Sequence, residues 1–258
     1  MDTYAHGHHP SVVRSHARRG IADSAAYLLP SLGPGLRVLD VGCGPGSITR
    51  ELAERFPGSQ FVGVDREPAV LRTGDLPNLR FEVGDAYQLA FPDASFDVVH
   101  AHQVLQHLGD PVAALREFRR VVRPGGIVAA RDVDYEGLTW YPRLPELDRW
   151  LEIYLQIARQ HGGEPAAARH LRAWFRAAGF TDLQVTGSVW TYASEEQVTN
   201  WGQTWRQRAI ESDYAKFALE LGLANREELA EISRGWDAWS HHPDAWFQLP
   251  HGEVIAAG

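Results

Sequence analysis

The sequence is poor in three residue types: it has one cysteine (Cys43), one methionine and one lysine (Lys216) in 258 residues. A lone cysteine excludes an internal disulfide and fits a reducing compartment. No run approaches 18 apolar residues, so no membrane-spanning helix is expected. The opening stretch MDTYAHGHHPSVVRSH is polar and His-rich, without the apolar core of a signal peptide. These absences lead to the expectation of a soluble cytoplasmic protein without a membrane partner. A basic excess is also missing: 25 Lys+Arg stand against 33 Asp+Glu, a formal charge of −8. A general electrostatic grip on a nucleic-acid backbone is therefore not expected. What is present is enough apolar material for a real core, 44% hydrophobic against 22% charged. One asymmetry stands out. All nine tryptophans lie at or beyond Trp140.

The first half alternates short apolar runs with helical periodicity. Residues 11–29 read as a helix ended by Pro30 and Gly33-Pro34-Gly35. Strands are predicted at Arg37–Val41, Gln60–Val64, Leu79–Val83, Phe96–His100 and Gly126–Asp132. Helices are predicted at 47–56, 68–73 and 111–122, the last with Asp110 as cap and Pro111 at its first position. Strands without polar alternation, separated by helices, imply a parallel sheet covered on both faces. Beyond residue 134 the rhythm changes. Helices are expected at 144–159, 165–178, 195–207, 213–221 and 227–239, and strands at 183–192 and about 246–255.

The most informative stretch is Val38-Leu39-Asp40-Val41-Gly42-Cys43-Gly44-Pro45-Gly46-Ser47. Three glycines at alternate positions join a strand to a helix, which lets a ligand approach the backbone beside a helix N-terminus. Asp65 closes the second strand, a position that suits hydrogen bonds to ribose hydroxyls. Gly84-Asp85-Ala86 closes the third. A parallel sheet binds its ligand outside the carboxyl ends of its strands, and Asp40, the glycine turn, Asp65 and Asp85 all fall on that edge.

With VGVD (62–65), GDAYQLAFPDASFDVVHAHQVLQHLGDP (84–111) and RVVRPGGIVAARD (120–132), the sequence resembles the class I S-adenosylmethionine-dependent methyltransferases over residues 36–134. Within that family it is similar to the C-methyltransferases of ubiquinone and menaquinone biosynthesis and their small-molecule relatives. The resemblance implies an α/β, three-layer, Rossmann-like seven-stranded sheet in order 3-2-1-4-5-7-6, with strand seven antiparallel. It divides the chain into an N-terminal lid segment and helix (1–35), a cofactor core (36–135) and a remainder (136–258). That remainder supplies strands at about 183–192 and 247–255, and a helical cap inserted at about 193–244.

The resemblance also implies roles. Gly42, Gly44 and Gly46 shape the turn around the methionine part of S-adenosylmethionine, and Asp40 supports that turn. Asp65 binds the ribose hydroxyls and Arg66 flanks the adenosine. The Asp85 side chain and the Ala86 backbone read the adenine edge, and Gly84 before them is a further cofactor-binding position. His102 and Gln103 border the transferred methyl. Tyr4, with His9 and Arg14, lies in a leading segment that folds over the cofactor in relatives.

Methyl transfer from a sulfonium needs an in-line nucleophile in a dry pocket, and a base only if that nucleophile is weakly acidic. His102 and His107 are the candidate catalytic bases. The blander alternatives are a polar contact and a packed side chain. Asp132, Tyr135, Trp201 and Trp205 are candidates for the acceptor pocket, against a strand-end turn and plain core. Asp132 and Asp134 could hold a cation only with a third ligand, and no metal is assigned. Cys43 reads as a small turn residue.

The leading expectation is methyl transfer to a small hydrophobic or aromatic acceptor. A cofactor-binding protein without methyl transfer, pericyclase-like or regulatory, is the alternative. An NAD-dependent oxidoreductase fits the glycine spacing less well. The oligomeric state stays open, a homodimer included.

Overall fold

A mixed sheet runs through the middle of the structure, a computed structural model that describes residues 19–71 and 75–258. Its strands are β1 (Arg37–Val41), β2 (Gln60–Asp65), β3 (Leu79–Val83), β4 (Phe96–His102), β5 (Val122–Val133), β6 (Thr139–Tyr141), β7 (Leu183–Tyr192) and β8 (Trp246–Ala257). The first five pair in parallel in the order 3-2-1-4-5. β8 runs antiparallel beside β5, and β7 lines the other side of β8 along its length. With β8 as the family's strand seven and β7 as its strand six, the expected order 3-2-1-4-5-7-6 is met. One addition was not expected: β6 continues along β8 where β5 leaves it, with Trp140 opposite Phe247.

The helices are α1 (Ile21–Ser24), α2 (Ser47–Arg55), α3 (Pro111–Val121), α4 (Pro145–Gln160), α5 (Ala167–Ala177), α6 (Glu195–Glu211), α7 (Asp213–Glu220) and α8 (Arg226–Ser240). Their starts follow local chemistry. Asp110 accepts from the Ala113 N–H ahead of Pro111 at the first turn of α3. Ser194 with Gln197 and Asn225 with Glu228 form reciprocal capping boxes at α6 and α8.

Side-chain alternation along the strands separates two cores. On one face Val38, Val98 and Ala129 meet Ile21, Ala25 and Leu28 of the N-terminal segment and Leu52 of α2. On the other, Leu39, Val99, Val128, Val254 and Ala256 meet Leu115 and Phe118 of α3 and Phe175 of α5. A third core holds most of the aromatic mass: Trp140, Trp150, Trp205, Trp236, Trp239 and Phe247, shared by α4, α6, α8, β6 and β8.

Three local expectations are corrected. The described part of the 11–29 helix is only the four-residue α1, followed by a 3-10 turn over Ala26–Ser31 that contains Pro30; a proline within a turn removes the N–H an α-helix would use. The helix expected at 68–73 is a 3-10 turn over Pro68–Val70, with residues 72–74 outside the described residues. Pro124-Gly125-Gly126 does not delay β5 but sits inside it, where the register with β4 shifts between Phe96 and Val98.

Candidate active site

At the carboxyl edge of the parallel strands, the turn after β1 holds Gly42, Gly44 and Gly46 at φ +70, +54 and +75. Side chains are strained at such angles. A Cβ at Gly42 or Gly46 would also overlap Val104 or Phe81, whereas at Gly44 no atom of the described residues lies within 4 Å. Among the described residues the middle of the turn is therefore open. Its shape is fixed by Val64 O, which accepts from the N–H groups of Gly42 (2.7 Å) and Cys43 (3.0 Å). The Gly44 N–H donates to Asp65 Oδ2 at 2.8 Å, and Asp65 Oδ1 accepts from the Glu67 N–H at 3.0 Å. Each carboxylate oxygen keeps a further lone pair.

Below the turn, buried Asp40 accepts from Thr49 Oγ1 (2.5 Å) and from His100 Nδ1 (3.0 Å). Next along the edge, the Gly84 N–H donates to Asp65 O at 3.0 Å, and exposed Asp85 accepts the Tyr87 N–H at 2.9 Å. Ala86 is half-buried and Arg66 exposed on the same edge. Cys43 packs over Gly63, and burial beside Asp40 and Asp65 pushes its thiol well above the ordinary range. It is no nucleophile at neutral pH.

The end of β4 carries a different arrangement. Gln103 sits at φ +54, a left-handed position for a non-glycine residue. Its Oε1 accepts from Arg19 Nη2, and its Nε2 lies 2.8 Å from His251 Nε2. His251 Nδ1 lies 2.9 Å from Leu249 O. A carbonyl only accepts, so Nδ1 carries the proton and Nε2 accepts from Gln103. Beside it the His102 ring stacks on His251 at 6.2 Å and lies tilted against Trp190 at 5.8 Å. Among the described residues neither nitrogen of His102 has a partner. Burial, then the Arg19 and Arg131 guanidiniums, hold its pKa well below the usual histidine range.

Next to this cluster lies a cavity of about 600 Å³, a size that suits a small molecule. Its floor is the sheet face of Arg131, Glu253, Ser188 and Trp190, and its walls are the Arg19–Ala26 segment and α6. The floor charges are matched: Glu253 accepts from Arg131 Nε (3.3 Å), Thr186 Oγ1 (2.8 Å) and Ser188 Oγ (2.6 Å). On the α6 wall Trp201 stacks on Tyr192, with centroids 4.6 Å apart and planes at 12°.

Of the pocket candidates, only Trp201 lines this cavity. Trp205, one turn further along α6, points inward to Trp150 (4.5 Å) and Trp236 (6.1 Å) and belongs to the core. The 40° offset of an i, i+4 pair separates rim from core here. Tyr135 is buried against Tyr154 at 4.2 Å. Asp132 is fully buried on the opposite sheet face, because Arg131 takes the cavity side of β5. Asp134 accepts from Arg169 and from the Gly137 N–H, a strand-end turn. His107 lies off the cavity, 3.0 Å from Gln106 Nε2, and burial pushes its pKa down to about 3. Tyr4, His9 and Arg14 lie outside the described residues. The residues missed were Arg19, Arg131, Trp190, His251 and Glu253. Alternation along β5, β7 and β8 carried the signal for the last four.

Residues 39–130 match the methyltransferase domain family. An uncharacterized methyltransferase of Schizosaccharomyces pombe is 32% identical over 98% of this chain and 95% of its own. The chain belongs to the class I S-adenosylmethionine-dependent methyltransferases. The demethylmenaquinone methyltransferase of Roseiflexus castenholzii is 38% identical over 55% of this methyltransferase and 60% of its own length. The YcgJ protein of Bacillus subtilis shares the fold, with a TM-score of 0.58 at 20% identity over 90% of this chain and 96% of its own. The residues present fit the family's cofactor, S-adenosylmethionine. The open face at Gly44 offers backbone approach, and Asp65 keeps acceptor capacity beside it. Among the described residues no helix is long and apolar enough to cross a membrane, and no cluster of three His, Cys, Asp or Glu is spaced for a metal ion.

Proposed function

We propose that this methyltransferase methylates a small acceptor with an aromatic or hydrophobic body, held in the cavity between Arg19–Ala26, β7 and α6. The observation that carries the reading is the left-handed glycine turn tied through Gly44 to Asp65, with β4 between it and the strands that floor that cavity. Gly42, Gly44 and Gly46 admit the methionine part of the cofactor, Asp65 takes the ribose hydroxyls with Arg66 alongside, and Gly84, Asp85 and Ala86 border the adenine. When bound, the cofactor supplies an electrophilic methyl group on a sulfonium.

The chain's own part is orientation and exclusion of water. Trp201 with Tyr192 offers a flat wall for an aromatic body. His102 and Gln103 border the reacting edge. An imidazole held this far below its ordinary pKa is a weak base, so His102 acts as a neutral hydrogen-bonding group. The nucleophile is then one that needs little help to lose its proton. The low pKa of His107 argues against a base role there as well.

Calorimetric titration with S-adenosylhomocysteine tests the cofactor half. Asp65→Ala is expected to weaken binding by about 10–100-fold, the worth of hydrogen bonds to a charged group. Undiminished binding would count against the assignment. Labelled methyl transfer into a metabolite extract tests the acceptor half. Label in a macromolecular fraction alone, or in none, would overturn it.

A further inference from the structure

Asp132 is a buried polar side chain that the proposed function leaves unused. It is fully buried on the α5 side of β5, and it is opposite Gly252, which has no side chain. Its Oδ1 accepts from the N–H of Gln106 at 3.3 Å, with the Leu105 N–H alongside. Its Oδ2 has no partner among the described residues, and the same holds for Oε1 of Gln106. A buried carboxylate normally has a cation or several donors. Here the nearest guanidinium, Arg131, projects to the other sheet face and is held by Glu253 and Ser188.

Gln106 Nε2 is 3.0 Å from His107 Nε2. With the amide turned this way His107 accepts there and Gln106 presents its carbonyl oxygen elsewhere; the reversed amide would take the His107 N–H and donate to an ionised Asp132, a state whose stability lacks the pH dependence of the neutral acid. The first orientation leaves two orphaned acceptor atoms, Asp132 Oδ2 and Gln106 Oε1, on side chains already joined through the Gln106 backbone. A proton on Asp132 Oδ2 would supply the donor that this pair lacks. We infer that Asp132 is carried as the neutral acid, its Oδ2–H donating to Gln106 Oε1, and acts as a positioning residue for the loop 103–107. Burial away from water pushes its pKa up to about 7, in keeping with that state.

The charge that acts on Asp132 is that of Arg131, already paired with Glu253. The loop contributes neutral His107, and Glu164, whose N–H donates to Gln106 O, has its own Oε1 on the Ala166 N–H. Through the sheet lie Tyr27, neutral His102, neutral His251 and the Arg131–Glu253 pair. Above neutral pH the proton leaves, and a carboxylate then faces an amide oxygen. The loop that ends β4, with Gln103 at its head, loses its inner anchor. The link to methyl transfer rests on the proposed place of His102 and Gln103 at the reacting edge; the protonation state does not.

The test compares the wild type with Asp132→Asn, whose amide donates to Gln106 and accepts from the backbone as the neutral acid does. Denaturant unfolding is followed at pH 8 and pH 6. The folded form binds a proton that the unfolded chain releases, so the wild type gains stability on acidification. Relative to Asp132→Asn, its folding equilibrium constant is expected to rise about tenfold between the two pH values. Parallel curves for the two proteins would overturn the inference. The second measurement needs no variant. Infrared spectra of wild type carrying ¹³C-labelled aspartate should show a protonated carboxyl stretch at pH 6 that fades by pH 9. Its absence at pH 6 would overturn the inference even if Asp132→Asn failed to fold. Neither readout involves methyl transfer, so failure here is distinct from failure of the proposed function.

Discussion

Gln103 joins three elements through one side chain: Arg19 of the N-terminal segment, its own position after β4, and His251 of β8. It does so from a left-handed backbone that costs about 1 kcal/mol or more for a non-glycine residue. Gln103→Ala removes both bonds and leaves buried His251 Nε2 without a donor. The expected cost is about 1–3 kcal/mol in urea unfolding, with the midpoint lowered and the slope unchanged. The neutral histidines make a second expectation at this scale. His102 and His251 are held well below their ordinary pKa, chiefly by burial. The unfolded chain therefore binds protons that the folded chain does not. Their contribution is fully present above the unfolded value near 6.5 and is lost as pH falls below it toward the folded value. His251→Gln is expected to flatten the loss of stability seen by calorimetry between pH 6.5 and 5.

At the scale of elements, the β1–α2 turn is where sequence and structure agree most closely. Alternate glycines between an apolar strand and a periodic helix are a backbone statement, and backbone statements survive folding: all three glycines have positive φ. Gly42→Ala meets both the angle and Val104. It is expected to weaken S-adenosylhomocysteine binding by at least tenfold, with a lower melting temperature, in a thermal shift series. The parallel strand order was legible for the same reason. The cavity side was less legible. Trp201 and Trp205 share helical spacing, yet one stacks on Tyr192 at the cavity and the other is sealed beneath Trp150. Asp132 and Arg131 are neighbours in sequence and lie on opposite faces of β5. Which face is solvent, cavity or core depends on distant elements, and periodicity alone does not carry that information.

For the whole molecule, the late tryptophans have a place. Five of the nine are buried in one core that ties α4, α6 and α8 to β6 and β8. Phe247 lies at its base, within 6.0 Å of Trp140, Trp201, Trp236 and Trp239. Phe247→Ala is expected to cost about 3–5 kcal/mol and to shift tryptophan emission to the red, without a matching loss of S-adenosylhomocysteine affinity. An equal loss of cofactor affinity would mean that the two halves do not separate energetically.

The antiparallel strand β8 has a consequence in time as well as in space. It pairs β5 and β6 on one side and β7 on the other. Until residues 246–257 emerge from the ribosome, β5 and β7 both present unpaired edges, and the aromatic helices have no floor. Such edges invite pairing with other chains, and closing that of β5 joins segments more than a hundred residues apart, a slow kind of contact to form. The cofactor half can collapse early. The part built from β7 and the aromatic helices waits for one strand, and during that interval a nascent chain exposes both edges to aggregation.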